Sequence, residues 1–194
     1  FMASGVAATL NYFIYGFIWE FTTSQTAHLT ASVFASAILA LVLAPVVSKT
    51  LGKKRGALTV GVLAFSIAPM PVFLRLIGIM PANGTELLFN TILVVTVIDV
   101  ALIITFQILS SSMIADIVED SELKTGRRSE GIFFAGILFM RKLARGSGLF
   151  LASLILAAAE LSREMQPGDL TPETLTMLGA GYSFGLLALW TTMI

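Results

Sequence analysis

Three basic residues lie inside an otherwise apolar stretch of the chain, where charge is expensive. Arg141, Lys142 and Arg145 fall within residues 132–159. At 100° per residue on a helix, they lie within about a third of a turn of one another. A charge at the centre of a bilayer costs roughly 3 kcal/mol on insertion scales, so three facing lipid cost roughly 10 kcal/mol. We therefore expect all three to face a polar interior.

A carboxylate lies near the middle of another apolar stretch. Asp99 stands within residues 87–113, where Gln107 adds to a partly polar face. Counting 1.5 Å per residue from the charged segment between the two stretches, Asp99 and Arg145 each lie about 21 Å deep. We predict that they form an ion pair.

Residues 115–131 join these two stretches and are dense in charge. We interpret them as a loop whose ion pairs have a structural or gating role; its charged residues of interest are Asp116, Glu119, Glu122, Arg127 and Arg128. Two interpretations of the neighbouring Arg141 and Lys142 stay open. Either both line a polar interior, or they reach these carboxylates as a structural latch.

The first apolar stretch carries aromatic residues with polar tips. Asn11, Tyr15 and Trp19 recur every four residues and so follow one helical face, with Tyr12 next to them. Such a face either packs against other helices and the membrane interface or holds a polar cargo. Both interpretations remain open at this point.

The composition is that of an integral membrane protein. Of the 194 residues, 56% are hydrophobic and 12% charged, and the net charge is zero, which gives no reason to expect a nucleic-acid partner. There is no cysteine, so thiol catalysis and a cysteine-ligated metal are excluded, and the single histidine, His28, cannot build a metal site without carboxylates nearby. No serine is expected in the strained Gly-x-Ser-x-Gly turn of hydrolases, so we expect neither an enzyme nor a cofactor.

Six apolar stretches are long enough for membrane-spanning helices, at 1–19, 29–47, 57–78, 87–113, 132–159 and 176–194. Pro69 and Pro71 should interrupt the third. Four basic residues fall in 48–56 and three in 115–131, whereas the other three links hold Arg163 alone. Because basic residues mark cytoplasmic loops, 48–56 and 115–131 should face the cytoplasm.

The run from Ala115 to Gly131 resembles the loop between helices ten and eleven of the glycoside–pentoside–hexuronide:cation symporters, a branch of the major facilitator superfamily. Pro45 to Gly56 is similar to the superfamily's basic loop after helix eight, and Lys142 falls where the family has a helix-eleven lysine facing the sugar cavity. Glu119 and Asp120 depart from the family's usual Asp-Tyr. The resemblance implies an all-α membrane protein whose residues 1–194 are the C-terminal six-helix half of a transporter, helices seven to twelve.

The resemblance also implies a function. Cargo, expected to be a sugar, would bind between two six-helix bundles and move with Na+ or H+ by alternating access in a bacterial inner membrane. The cation site would lie in an N-terminal half that this chain lacks. Asp99 with Arg145 would set the bundle geometry, residues 116–130 would pair with the other bundle, and the sugar contacts would be Tyr12, Tyr15, Trp19, Gln107 and Lys142. Alternatives are the same fold moving a lysolipid, drug or other organic anion, and a non-transporting scaffold.

Overall fold

Most of the described chain is α-helical, and none of the described residues forms a strand. The structure is a computed structural model that describes residues 2–127, 130–159 and 171–191. In chain order the elements are α1 (Met2–Phe13), a π-helical segment (Ile14–Ile18) that continues it, α2 (Thr23–Leu51), α3 (Lys53–Ile67), α4 (Met70–Leu76), α5 (Glu86–Thr125), α6 (Glu130–Ala158) and α7 (Pro172–Thr191). The predicted all-α class is confirmed.

Three helical segments of the described chain are long and apolar enough to cross a membrane: Thr23–Leu51, Lys53–Leu76 and Glu86–Thr125. Met2–Ile18 is apolar but shorter. Every 18-residue stretch of α6 includes its three interior basic residues, which keeps α6 out of this group. Large apolar side chains such as Phe34 and Leu41 of α2 are exposed, as side chains facing lipid are. The chain is an integral membrane protein.

The two charged links are mostly helical, so their interpretation as loops was wrong. Helix α5 continues through the charged residues to Thr125 and ends at Gly126, and between α2 and α3 only Gly52 is not helical. Glu, Leu and Lys are good helix formers, so the charges mark where the helix leaves the apolar layer rather than where it stops. Gly52 makes the tight turn with a φ of 76°, which glycine adopts without strain.

Pro69 and Pro71 interrupt the third predicted span, as expected. Helix α3 ends at Ile67 and α4 begins at Met70, with Pro69 immediately before it. Proline lacks the amide hydrogen that would continue the helical ladder and crowds the preceding turn. The break places Ala68 and Pro71 beside the cavity described below.

The helices pack around two apolar cores. Helix α1 packs on α6 and α7, and α5 packs on both α2 and α3. The α1–α6 contact is close because two glycines meet there: a Cβ on Gly5 would lie 2.8 Å from the carbonyl oxygen of Arg145, and one on Gly148 would overlap Met2. This contact fixes the position of α1, which carries Asn11 and Tyr12 and leads into the π-helical segment with Tyr15.

Candidate functional site

A cavity of about 450 Å³ lies between α1, α2, α4, α5 and α7. Most of its wall is apolar, including Ile14, Val33 and Ile92. Its side chains with polar groups are Asn11, Tyr15, Trp19, Thr30, Thr96, Asp99 and Tyr182. An apolar enclosure with a few convergent polar groups is the usual form of a small-molecule site.

Asn11 and Tyr182 both line this cavity and contact each other. The Tyr182 hydroxyl donates a hydrogen bond to Asn11 Oδ1 at 3.0 Å, and Tyr182 is only 3% exposed. The bond links α7 to α1. Tyr182 was not predicted as a site residue. The sequence feature that could have identified it is a single phenol within an apolar helix, between two small residues.

Tyr15 connects the π-helical segment to α5. Its hydroxyl interacts with the side chain of Thr96, and it lines the same cavity as Asp99. Thr96 and Asp99 are three residues apart on α5, so they lie on one face of that helix. The structure therefore brings together Tyr15 and Asp99, which the sequence placed on two separate helices.

Asp99 does not pair with Arg145, contrary to the prediction. Asp99 Oδ1 is buried and accepts no hydrogen bond, and Arg145 is exposed on α6. Two ion pairs between described residues join Lys53 to Asp116 and Lys124 to Asp120, at the charged ends of α3 and α5. Depth alone does not determine the direction a side chain faces, and Asp99 lines the cavity.

Trp19 is buried at the outer end of the cavity. It is 1% exposed, and the Arg75 guanidinium lies 6.0 Å from its ring centroid. Arg75 donates hydrogen bonds to the Pro81 carbonyl at 2.9 Å and to Asn83 Oδ1 at 2.8 Å, and Asn83 Nδ2 donates to the Ile18 carbonyl at 3.2 Å. This network closes the outer end of α1, so Trp19 has a structural position as well as a place in the cavity wall.

The remaining predicted sugar contacts lie outside the cavity lining. Tyr12 is 74% exposed, and Lys142 is exposed on α6. Gln107 lines a separate small pocket with Ser4 and Phe106, about 12 Å along α5 from Asp99. Of the five predicted contacts, Tyr15 and Trp19 share the cavity.

The three interior cations of α6 do not share one environment. Arg141 is half-buried and its Nη2 donates to Ser111 Oγ at 3.5 Å, whereas Lys142 and Arg145 are exposed. Among the described residues Lys142 makes no ion pair with the acidic end of α5, so the latch is not formed by Lys142.

The charges at the end of α5 divide into two groups. Asp116 pairs with Lys53 at 2.7 Å, which ties α5 to the start of α3. Glu119, Glu122 and Arg127 are exposed. Arg128 lies outside the described residues.

The described part of the chain holds no arrangement of residues suited to hydrolysis or to binding a metal ion. The letters Gly-x-Ser-x-Gly do occur at 181–185, but inside helix α7, where Ser183 is buried and its hydroxyl has no hydrogen-bond partner. A nucleophilic serine needs a strand-to-helix turn and a neighbouring base. No group of three or more His, Cys, Asp or Glu suited to a metal ion occurs among these residues.

Comparison with known proteins supports transport. A protein of Synechocystis sp. named as an uncharacterized symporter is 41% identical over 61 residues, which cover 31% of this chain and 11% of that relative. No solved structure matches the chain. The family model described as MFS/sugar transport protein matches residues 1–193. Since that match takes in nearly every residue, the chain belongs to the MFS/sugar transport protein family.

Proposed function

We propose that this chain forms one cargo-binding side of a secondary active transporter that moves a sugar or glycoside together with a cation. The observation that carries the proposal is the cavity of about 450 Å³ between the helices. Its volume is in the range of sites for small molecules. Transport by such a protein requires a site that is enclosed by helices yet lined with polar groups.

The polar groups of the cavity suit a cargo rich in hydroxyls. Asn11, Tyr15 and Thr96 offer hydroxyl and amide groups that both donate and accept hydrogen bonds. The phenol rings of Tyr15 and Tyr182 add flat apolar faces that pack against the carbon side of a sugar ring. Since each sugar hydroxyl also donates and accepts, this lining matches it without requiring a charge on the cargo.

Family membership supports a transporter rather than an enzyme, and the symporter-named relative supports coupling to an ion. In the proposal, the chain is the C-terminal half, helices seven to twelve, of a transporter in a bacterial inner membrane. Rocking against an N-terminal half exposes the cavity alternately to each side. That other half holds the site for the coupling Na+ or H+.

The predicted contacts outside the cavity keep a place in this proposal. Tyr12 and Lys142 are exposed, so we assign them to the surface that meets cargo as it moves between the bundles. Glu119, Glu122 and Arg127 are assigned to ion pairs with the N-terminal half. Asp116 is removed from that group because Lys53 already pairs with it.

An anionic cargo is a weaker alternative. It would need a basic side chain in the site, and none of the described residues that line the cavity is basic. Arg141, Lys142 and Arg145 lie elsewhere on α6. A neutral or positively charged cargo therefore fits the lining better than an organic anion does.

The test is uptake of labelled glycosides by the full-length transporter in proteoliposomes, with an imposed Na+ or H+ gradient. Tyr15→Ala should raise the KM for the preferred sugar roughly two- to tenfold, the range expected for losing one aromatic contact. Phe150→Ala, which truncates an exposed aromatic residue on α6, is the matched control and should leave the KM unchanged. Two results would count against the proposal: glycoside uptake that does not depend on the imposed ion gradient, or equal KM values for the two variants.

A further inference from the structure

We propose that Asp99 anchors a monovalent cation inside the cavity. The cation is either a free ion such as Na+ or the ammonium group of an amino sugar. The second form rests on the proposed function, because it makes the cation part of the cargo. The site would then lie in this chain, in addition to any site in an N-terminal half.

The charge of Asp99 has no counter-charge from the described residues around it. Its Oδ1 is buried without a hydrogen bond, and among the described residues no other one in the cavity lining is acidic or basic. Arg145, the partner predicted from the sequence, is exposed on α6. A buried charge left uncompensated is strongly destabilising, so a bound cation would stabilise the ionised form of Asp99.

The groups around Asp99 are those that bind cations. Thr96, one turn away on α5, and Tyr15 provide hydroxyl oxygens, and Tyr182 lines the same cavity. Carboxylate, hydroxyl and amide oxygens are the ligands that hard cations prefer. The faces of tyrosine rings attract ammonium groups.

The size of the cavity allows the cation and the cargo to be present together. A volume of about 450 Å³ is much larger than an ion requires. With a free cation at Asp99, Asn11 and Tyr182 remain in the lining for uncharged groups, joined by their own hydrogen bond at 3.0 Å. A free cation at Asp99 therefore leaves room in the cavity for a neutral cargo.

The test uses the purified full-length transporter and titration calorimetry. One arm titrates the protein with NaCl, and MgCl2 at matched ionic strength is the reference. The second arm compares the affinity for glucosamine with that for glucose, and the affinity for galactosamine with that for galactose. Asp99→Asn should weaken binding of Na+ or of the amino sugar at least about tenfold, as expected for loss of a charge-assisted contact. Glu86→Gln, an exposed acid-to-amide change on the same helix, should not weaken either.

The two arms separate the sources. Na+ binding that depends on Asp99 assigns a free-ion site, and a preference for amino sugars that depends on Asp99 assigns the ammonium form. Equal affinities in Asp99→Asn and the parent protein would overturn the proposal, as would a response to pH alone, which would indicate a proton site. If Asp99→Asn does not fold, Thr96→Ala takes its place and should weaken the same ligand several-fold.

The two arms also distinguish failure of the cation site from failure of the proposed transport function. Na+ binding at Asp99 without uptake of any sugar would keep the cation site and reject sugar transport. Sugar uptake that is unaffected by Asp99→Asn would keep sugar transport and reject the cation site at Asp99.

Discussion

The close contact between α1 and α6 makes a specific prediction for Gly148→Ala. A methyl group on Gly148 would overlap the carbonyl oxygen of Met2 and lie 2.9 Å from the amide nitrogen of Val6 and 3.0 Å from the Cα of Gly5. All three are backbone atoms, so no side-chain rotation relieves the overlap. The two helices must instead move apart by about 1 Å to restore ordinary contact distances.

The expected cost follows from this overlap. Inserting a methyl group into a close-packed contact costs about 1–3 kcal/mol. Replacing glycine by alanine in a helix also gains up to about 1 kcal/mol of intrinsic helix propensity. Gly146→Ala measures that gain alone, because a Cβ at Gly146 meets nothing within 4 Å. The free energy of unfolding of Gly148→Ala should therefore lie about 1–3 kcal/mol below that of Gly146→Ala.

The assay is reversible unfolding of both full-length variants in the same detergent, followed by circular dichroism. Since α1 carries Asn11 and continues into the π-helical segment that carries Tyr15, the Gly148→Ala variant should also bind cargo more weakly, while Gly146→Ala should bind as the parent does. Equal stability of the two variants would refute the idea that backbone contact between these helices positions the cavity wall.

Three further predictions concern the polar contacts. Tyr182→Phe removes the hydrogen bond to Asn11, so the free energy of unfolding should fall by about 0.5–1.5 kcal/mol, measured in the same detergent assay. Asp116→Asn removes the ion pair with Lys53, which is partly exposed; the free energy of unfolding should fall by less than about 1 kcal/mol, and by less still in high salt. Lys142→Ala should reduce the rate of cargo uptake in proteoliposomes with little change in stability, because Lys142 is exposed and makes no ion pair with a described residue.

Each of these has its own contrary result. Unchanged stability of Tyr182→Phe would mean that the bond to Asn11 contributes nothing net. A loss of several kcal/mol in Asp116→Asn would mean that the carboxylate has partners beyond Lys53. Normal uptake by Lys142→Ala would remove that residue from the route of the cargo.

The helices were predictable because a membrane span has a characteristic length and composition. Continuous apolar stretches located every main helix, and Pro69 and Pro71 correctly located the break in the third. Helix ends were less predictable, because the sequence marks where the apolar layer stops whereas a helix stops where its backbone can turn. At the end of α5 that position is Gly126, beyond several charged residues.

The site was predictable in part, because the type of a residue indicates the polarity of its side chain but not the direction in which that side chain points. Tyr15, Trp19 and Asp99 were singled out as polar groups in apolar helices, and they share the cavity. The pair of Asp99 with Arg145 was wrong because two residues at equal depth can face different neighbours, which depends on how α5 and α6 pack. The bond from Tyr182 to Asn11 joins residues 171 positions apart, and no local pattern indicates it.

The π-helical segment at Ile14–Ile18 has a consequence for insertions and deletions. Its wider turn, with Trp19 bonded to the Ile14 carbonyl at 3.0 Å, accommodates one residue more than an α-turn does. Deleting a single residue here would let the helix close into regular α geometry while the outer tip, with its ring against Arg75, kept its own orientation. We therefore expect this helix to tolerate the loss of one residue better within 14–18 than in the regular turns of α1.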